Sequence, residues 1–232
     1  MEPAGLAVGV VALAGLFNNA VDCFEYVQLG KSLGKDFQTS TLKLDVARLR
    51  LSRWGEALGL SGDVTDVSSL GTTRLSAEDV PKAESLLGQI LALFADAEEM
   101  SGKYKSRAAA GDASLAVLDV QAEMDTLHRS LHEKMRGLSI RRQNKTPLRQ
   151  KAKWALYEKK QYDRLVADVI ELVNALVEMF PALRPEQQEL CKAEVSDING
   201  KDELPVLGTI VASQDHDLYA AILEAMKKSG VS

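Results

Sequence analysis

The chain opens with nineteen residues, Pro3 to Val21 (PAGLAVGVVALAGLFNNAV), that carry no charge and stop at Asp22, with Glu25 close behind. As a helix they span roughly 28 Å, against a hydrocarbon core of about 30 Å. Composition argues against permanent insertion. The strongly apolar positions are Leu6, Val8, Val10, Val11, Leu13, Leu16, Phe17 and Val21. At about −0.3 to −0.6 kcal/mol each they must offset Asn18, Asn19 and the glycines at 5, 9 and 15.

Such a segment admits three readings. A secretory signal is disfavoured because Met1-Glu2 supplies no Lys or Arg side chain. A helix apolar on all sides suits the centre of a helical core. A segment tolerable in either solvent suits a helix stored in a bundle and later released into a bilayer. Gly5 and Gly9, in GLAVG, allow close helix approach in lipid or tight packing in a bundle.

The 232 residues contain no long Ser/Pro linker and are 46% hydrophobic, which predicts one self-sufficient domain. Cys23 and Cys191 are too few for a disulfide framework and fit a reducing, cytoplasmic setting. A net charge of −5 disfavours nonspecific DNA binding. The charge is uneven. Lys134, Arg136, Arg141, Arg142, Lys145, Arg149, Lys151 and Lys153 fall in one stretch without an acid. That stretch suits either anionic lipid or pairing with acids elsewhere in the fold. Trp154 and Tyr157 suit RNA stacking or a helical core.

Periodicity predicts an all-α bundle of about seven to nine helices, with room for a very short two-stranded β element. The first helix continues through Phe24 to Leu29. The second runs from about Asp36 to Gly59, with Leu42, Val46, Leu49, Arg53 and Ala57 on one stripe. Gly59 to Leu75 reads as an exposed loop. Ser76 and Asp79 begin a helix reaching about Ala109. Val117 to Leu138 reads as one helix, Leu148 to Tyr157 as a short basic helix, and Tyr162 to Phe180 as a strongly amphipathic one. Helices from Pro185 to Ile198 and from Asp215 to Lys228 follow, joined by a loop through Gly200, Pro205 and Gly208 that leaves room for a short extended piece near Leu204 to Val211, where Val206, Ile210 and Val211 favour strands.

Catalytic constellations are sparse. His128 and His132 lie one turn apart, the spacing of a shared metal, but HRSLH lacks the glutamate that follows the first histidine of a zinc protease. Asp215 reads as a helix cap beside His216. Asp22 and Glu25 oppose thiolate formation at Cys23. No catalytic, cofactor or metal site is expected, and the chain does not read as an enzyme.

Three stretches carry a resemblance. Gly15 to Lys31 (GLFNNAVDCFEYVQLGK), continuing to Gly34-Lys-Asp-Phe37, Arg50 to Ala57 (RLSRWGEA) and Lys151 to Tyr157 (KAKWALY) closely resemble the HeLo domain of fungal HET-s/HET-S-type proteins. The likeness spans residues 1–232. It implies a cytoplasmic cell-death executioner of vegetative incompatibility. In that family a C-terminal prion-forming segment folds as amyloid and disrupts the HeLo domain. The apolar N-terminal helix is then expelled, enters the cell membrane, oligomerises and makes it leaky.

The resemblance matches Leu6 to Val21 to the inserting segment and Asp22 with Glu25 to its acidic end. Lys31, Ser32 and Leu33 occupy the region where toxic and non-toxic alleles differ, and match neither. Arg141, Arg142, Lys145, Arg149, Lys151 and Lys153 are the candidate anionic-lipid contacts. The implied partners are a second copy, a related protein acting through a prion segment not visible up to Ser232, and a lipid membrane; nucleic acid is not among them. The alternative is a non-toxic module that dimerises with or inhibits a toxic relative.

Overall fold

The computed structural model describes residues 3–31, 37–61, 76, 78–109, 115–144 and 153–229, with side chains at 9–31, 37–61, 76, 78–104, 115–144 and 153–228. The helices among them are α1 (Pro3–Cys23), α2 (Phe37–Leu58), α3 (Asp79–Ala109), α4 (Val120–Glu123), α5 (Thr126–Arg141), α6 (Lys159–Glu178), α7 (Arg184–Ile198), α8 (Glu203–Val211) and α9 (His216–Ser229). Two short strands, β1 (Val27–Leu29) and β2 (Trp154–Leu156), pair in parallel with Val27 opposite Trp154.

Helix α2 is the axis of the molecule. Leu44, Ala47, Leu51, Trp54 and Leu58 join one apolar cluster with α1, α3 and α6. Leu42, Val46 and Leu49 join a second with α5, α7, α8 and α9. Burial on both sides explains why an amphipathic reading of this helix needed so wide an apolar face. Arg53 continues the second stripe one turn further. Its guanidinium, 1% exposed, takes both oxygens of Glu194 and donates to Asp215 Oδ2 at 2.9 Å. Arg142 donates to Glu194 and Glu56 from the other side. These contacts tie α2, the end of α5, α7 and the start of α9 together where the two clusters meet.

Several elements follow their sequence signals. In α6 the buried positions are Tyr162, Leu165, Val166, Val169, Val173 and Leu176, a three- and four-residue stripe. Asp79 accepts from the Ser76 hydroxyl at 2.6 Å at the head of α3. Asp215 accepts from Leu218 N at 3.2 Å, capping α9.

Other expectations are corrected. Beyond Cys23 the chain does not continue as an α-helix: Phe24–Tyr26 is a 3-10 turn and Val27–Leu29 a strand, because β2 supplies backbone partners for β-branched and extended residues there. Trp154–Leu156 is accordingly strand rather than helix, and the rest of that expected basic helix lies outside the described residues apart from Lys153 and Tyr157. Val117 to Leu138 is not one helix. Val117 bridges Gly30, and Asp125 accepts from Leu127 N and His128 N, ending α4 and starting α5. Leu204 to Val211 lies in α8, neither a loop nor an extended piece, with Leu204, Leu207, Ile210 and Val211 facing the second cluster. Tertiary burial overrides the strand preference of its β-branched residues.

The exposed loop expected from Gly59 begins with a buried residue. Gly59 has φ of 88°, Gly59 N donates to Glu56 O, and Leu60 N to Gly55 O at 2.8 Å. This is a glycine C-terminal stop whose following residue, Leu60, turns back into the core. Residues 62–75 lie outside the described set.

Candidate functional site

The charge-free segment forms α1 and packs against α3 and α2. Among its described side chains, Val10, Leu13, Ala14, Phe17, Ala20 and Val21 are buried, again at helical spacing. The opposite face is open, with Val11 45% exposed, so the expectation of a helix enclosed on all sides is corrected to burial on one face. Leu16 is partly buried against the core; the side chains of Leu6 and Val8 lie outside the described set. Among the described residues no helix is long and apolar enough to cross a membrane.

The fit of the inner face is close. Phe17 lies over Gly55, where an added Cβ would collide with the ring, and its centroid is 6.3 Å from that of Trp54. A Cβ on Gly9 would stand 3.1 Å from Val80 Cγ1, so this glycine serves close packing of α1 on α3. Asn144 Nδ2 donates to Ala14 O and to Leu60 O, both at 3.0 Å, pinning α1 to the end of α2. Burying Val10, Leu13, Phe17 and Val21 stabilises the docked helix by roughly 6–12 kcal/mol at about 1.5–3 kcal/mol each. That is comparable to the whole stability of a typical domain. Helix α1 therefore cannot leave into water alone; its departure needs either loss of the bundle or a second apolar environment.

Past α1 the chain is held by charge and backbone. Tyr26 donates its hydroxyl to Asp22 at 2.6 Å. Glu25 receives Arg136 Nε on Oε1 at 2.8 Å and Nη2 on Oε2 at 2.7 Å, and Arg48 Nη1 also reaches Oε1. Burial opposes the Glu25 charge, but the Arg136 hydrogen bonds and the Arg48 charge outweigh it and hold the carboxyl at about 2. Next, β1 is gripped on both sides. Gly30 N donates to Leu156 O, Leu118 N to Leu29 O and Lys31 N to Ala116 O, at 2.7, 2.7 and 2.9 Å. Gly30 itself lies against the Tyr157 ring, leaving no room for a Cβ. Lys31 is exposed; Ser32 and Leu33 lie outside the described residues.

Among the described residues of the basic stretch, all but Lys153 are engaged in internal pairs. Lys134 donates to Glu203 at 2.6 Å, Arg136 to Glu25, and Arg141, at the surface, to Asp197 at 2.8 Å. Arg142 is 7% exposed and held by Glu56 and Glu194, so it does not present itself to a lipid surface in this conformation. Lys145, Arg149 and Lys151 lie outside the described residues, and Lys153 is exposed.

The two histidines turn to different carboxylates. His128 Nδ1 lies 2.8 Å from Asp125 and His132 Nδ1 2.7 Å from Asp45. Burial opposes charge on His132, yet Asp45 raises its pKa above the ordinary value. Cys23 and Cys191 are both buried, and burial pushes the Cys191 thiol far up. Trp154 is buried and Tyr157 stacks on Tyr104 with centroids 5.5 Å apart.

Sequence reading missed Arg48 as the anchor of Glu25 and Arg53 as an ionic centre. The signal was present: both are cations flanked by the closely spaced apolar residues of α2, and a cation buried there requires an anion beside it.

The chain is similar to known proteins over most of its length. The profile of the HeLo family, described as prion-inhibition and propagation, matches residues 5–207. Heterokaryon incompatibility protein s of Podospora anserina is 37% identical over 206 residues, 89% of this chain and 68% of that protein. Heterokaryon incompatibility protein S of the same species is 36% identical over the same shares. The solved HET-s N-terminal domain superposes with a TM-score of 0.80 at 33% identity, covering 94% of this chain and 98% of that one. A doubly substituted form of that domain gives 0.79 at 33% identity, covering 93% and 98%.

Proposed function

The chain belongs to the HeLo family of prion-inhibition and propagation domains, and on that premise we propose that it is the executioner part of a heterokaryon-incompatibility system. In the resting state α1 is stored on the bundle with one apolar face covered. Amyloid folding of an adjoining C-terminal prion-forming segment disrupts the bundle, α1 is expelled, and copies of the chain insert and permeabilise a membrane. The observation that carries this reading is the combination of a charge-free helix, buried on a single face, with an ionic and backbone clamp immediately after it.

The reading makes the chain a non-enzyme without a cofactor, cytoplasmic at rest and at the cell membrane when active. Its partners are further copies of itself, a related HET-s/HET-S-type protein engaged through the prion segment, and lipid. A second reading, a non-toxic module that dimerises with or inhibits a toxic relative, draws support from Asn18, which is 1% exposed inside the bundle and costly to carry into lipid.

Dye release from anionic liposomes by this chain joined to a family-type prion segment separates the two. Leakage that appears on seeding and is lost in Leu13→Lys supports the executioner. Intact vesicles beside a tail that has formed fibrils support the inhibitory module.

A further inference from the structure

Arg48 is 3% exposed, and only part of its guanidinium is engaged. Nη1 reaches Glu25, while Nε and Nη2 have no hydrogen-bond partner among the described residues. Those two donors form the edge that grips an oxyanion with two parallel hydrogen bonds. Leaving it empty on a buried, permanent cation is uncommon and calls for an explanation.

Arg48 borders a cleft of about 520 Å³, within the size range of small-molecule sites, whose wall also includes Glu25, Asp45, His132, Arg136 and Lys153. The single carboxylate of Glu25 serves two guanidiniums, which leaves that group one positive charge in excess. Asp45 is engaged by His132, and Asp119, on the same wall, caps α4 through Ala122 N. Lys153 has no acidic partner among the described residues.

We infer that this cleft binds a small phosphorylated compound, its phosphate taken by Arg48, Arg136 and Lys153 in competition with Glu25. A phosphate carries the charge and the three terminal oxygens to bridge three cations, whereas Glu25 already supplies what one carboxylate can. As Glu25 swings away it vacates Nη1, and the phosphate takes Nη1 together with the unpaired Nη2 beside it. Glu25 acts as an internal plug. The inference does not depend on what α1 does once released.

Titration calorimetry of the full chain with glycerol 3-phosphate, and flotation with phosphatidate-containing vesicles, tests it. Removing the plug in Glu25→Gln is expected to tighten binding about tenfold, and Arg136→Gln or Lys153→Gln to weaken it about tenfold or more. Lys153 is exposed, so that variant reads binding without a folding loss, and circular dichroism checks the others. Binding of the soluble compound assigns a free metabolite; binding of the vesicles alone, lost in the same variants, assigns a lipid headgroup. Failure of both probes to bind, affinity indifferent to Arg136 and Lys153, or weaker binding in a folded Glu25→Gln would overturn the site.

Discussion

Glu25 and Arg136 meet through both carboxylate oxygens, Nε to Oε1 at 2.8 Å and Nη2 to Oε2 at 2.7 Å, and so join the end of the apolar helix to α5. Arg48 closes the same carboxylate onto α2. Glu25→Ala leaves Arg48 buried without an anion and is expected to cost on the order of 2–3 kcal/mol, below the full penalty of a buried pair because Glu25 is partly solvated. Urea unfolding reads this as a lower midpoint at unchanged m-value, and an unaltered midpoint would show that the contact is not a clamp.

The same groups set a pH profile. Glu25 is depressed from 4.5 to about 2, so its contribution is fully present above about 4.5 and drains away as pH falls toward 2. His132 is raised above 6.5 by Asp45, with burial opposing, so its contribution is present below about 6.5 and is lost as pH climbs through its folded-state value. Stability is expected to decline on both flanks. In His132→Gln the alkaline decline should flatten while the acid one stays, as measured by denaturant midpoints across pH.

Arg53→Met strands Glu194 and Asp215 in the interior, with Arg142 left to offset only the first. A loss of about 3–5 kcal/mol is expected, the penalty for an uncompensated buried charge. Thermal melts should place this variant far below wild type; a loss within 1 kcal/mol would contradict the network.

Gly55→Ala drives a methyl group into the Phe17 ring. Overpacking of this kind costs about 1–3 kcal/mol. The strain falls on the docking of α1, so limited proteolysis should cut within residues 9–23 before the rest of the bundle. Cleavage that begins elsewhere would place the strain elsewhere.

Much of this was readable in the residues. Charge-free length predicted α1, the 162–176 stripe predicted α6, and the caps at Ser76 and Asp215 predicted the heads of α3 and α9. What was not readable depends on contacts distant in sequence. Val27–Leu29 and Trp154–Leu156 become strands only because each supplies the other's backbone partners across more than a hundred residues. Asp125 interrupts a helical period by a local hydrogen bond that periodicity does not register. Pairing of the basic stretch with acids elsewhere was one of the readings its residues allowed, but not the identity of those acids, because Glu25, Glu56, Glu194, Asp197 and Glu203 come from other elements.

The central claim is that α1 must leave α3 for the chain to act. A Cβ at Gly9 would lie 4.0 Å from that of Val80, within the disulfide range of about 3.5–4.5 Å. Gly9→Cys with Val80→Cys, oxidised, should therefore bolt α1 to the bundle. Seeded dye release by the prion-tailed chain is expected to be blocked in the oxidised variant and restored by reductant; leakage from the fully oxidised protein would contradict the release of α1.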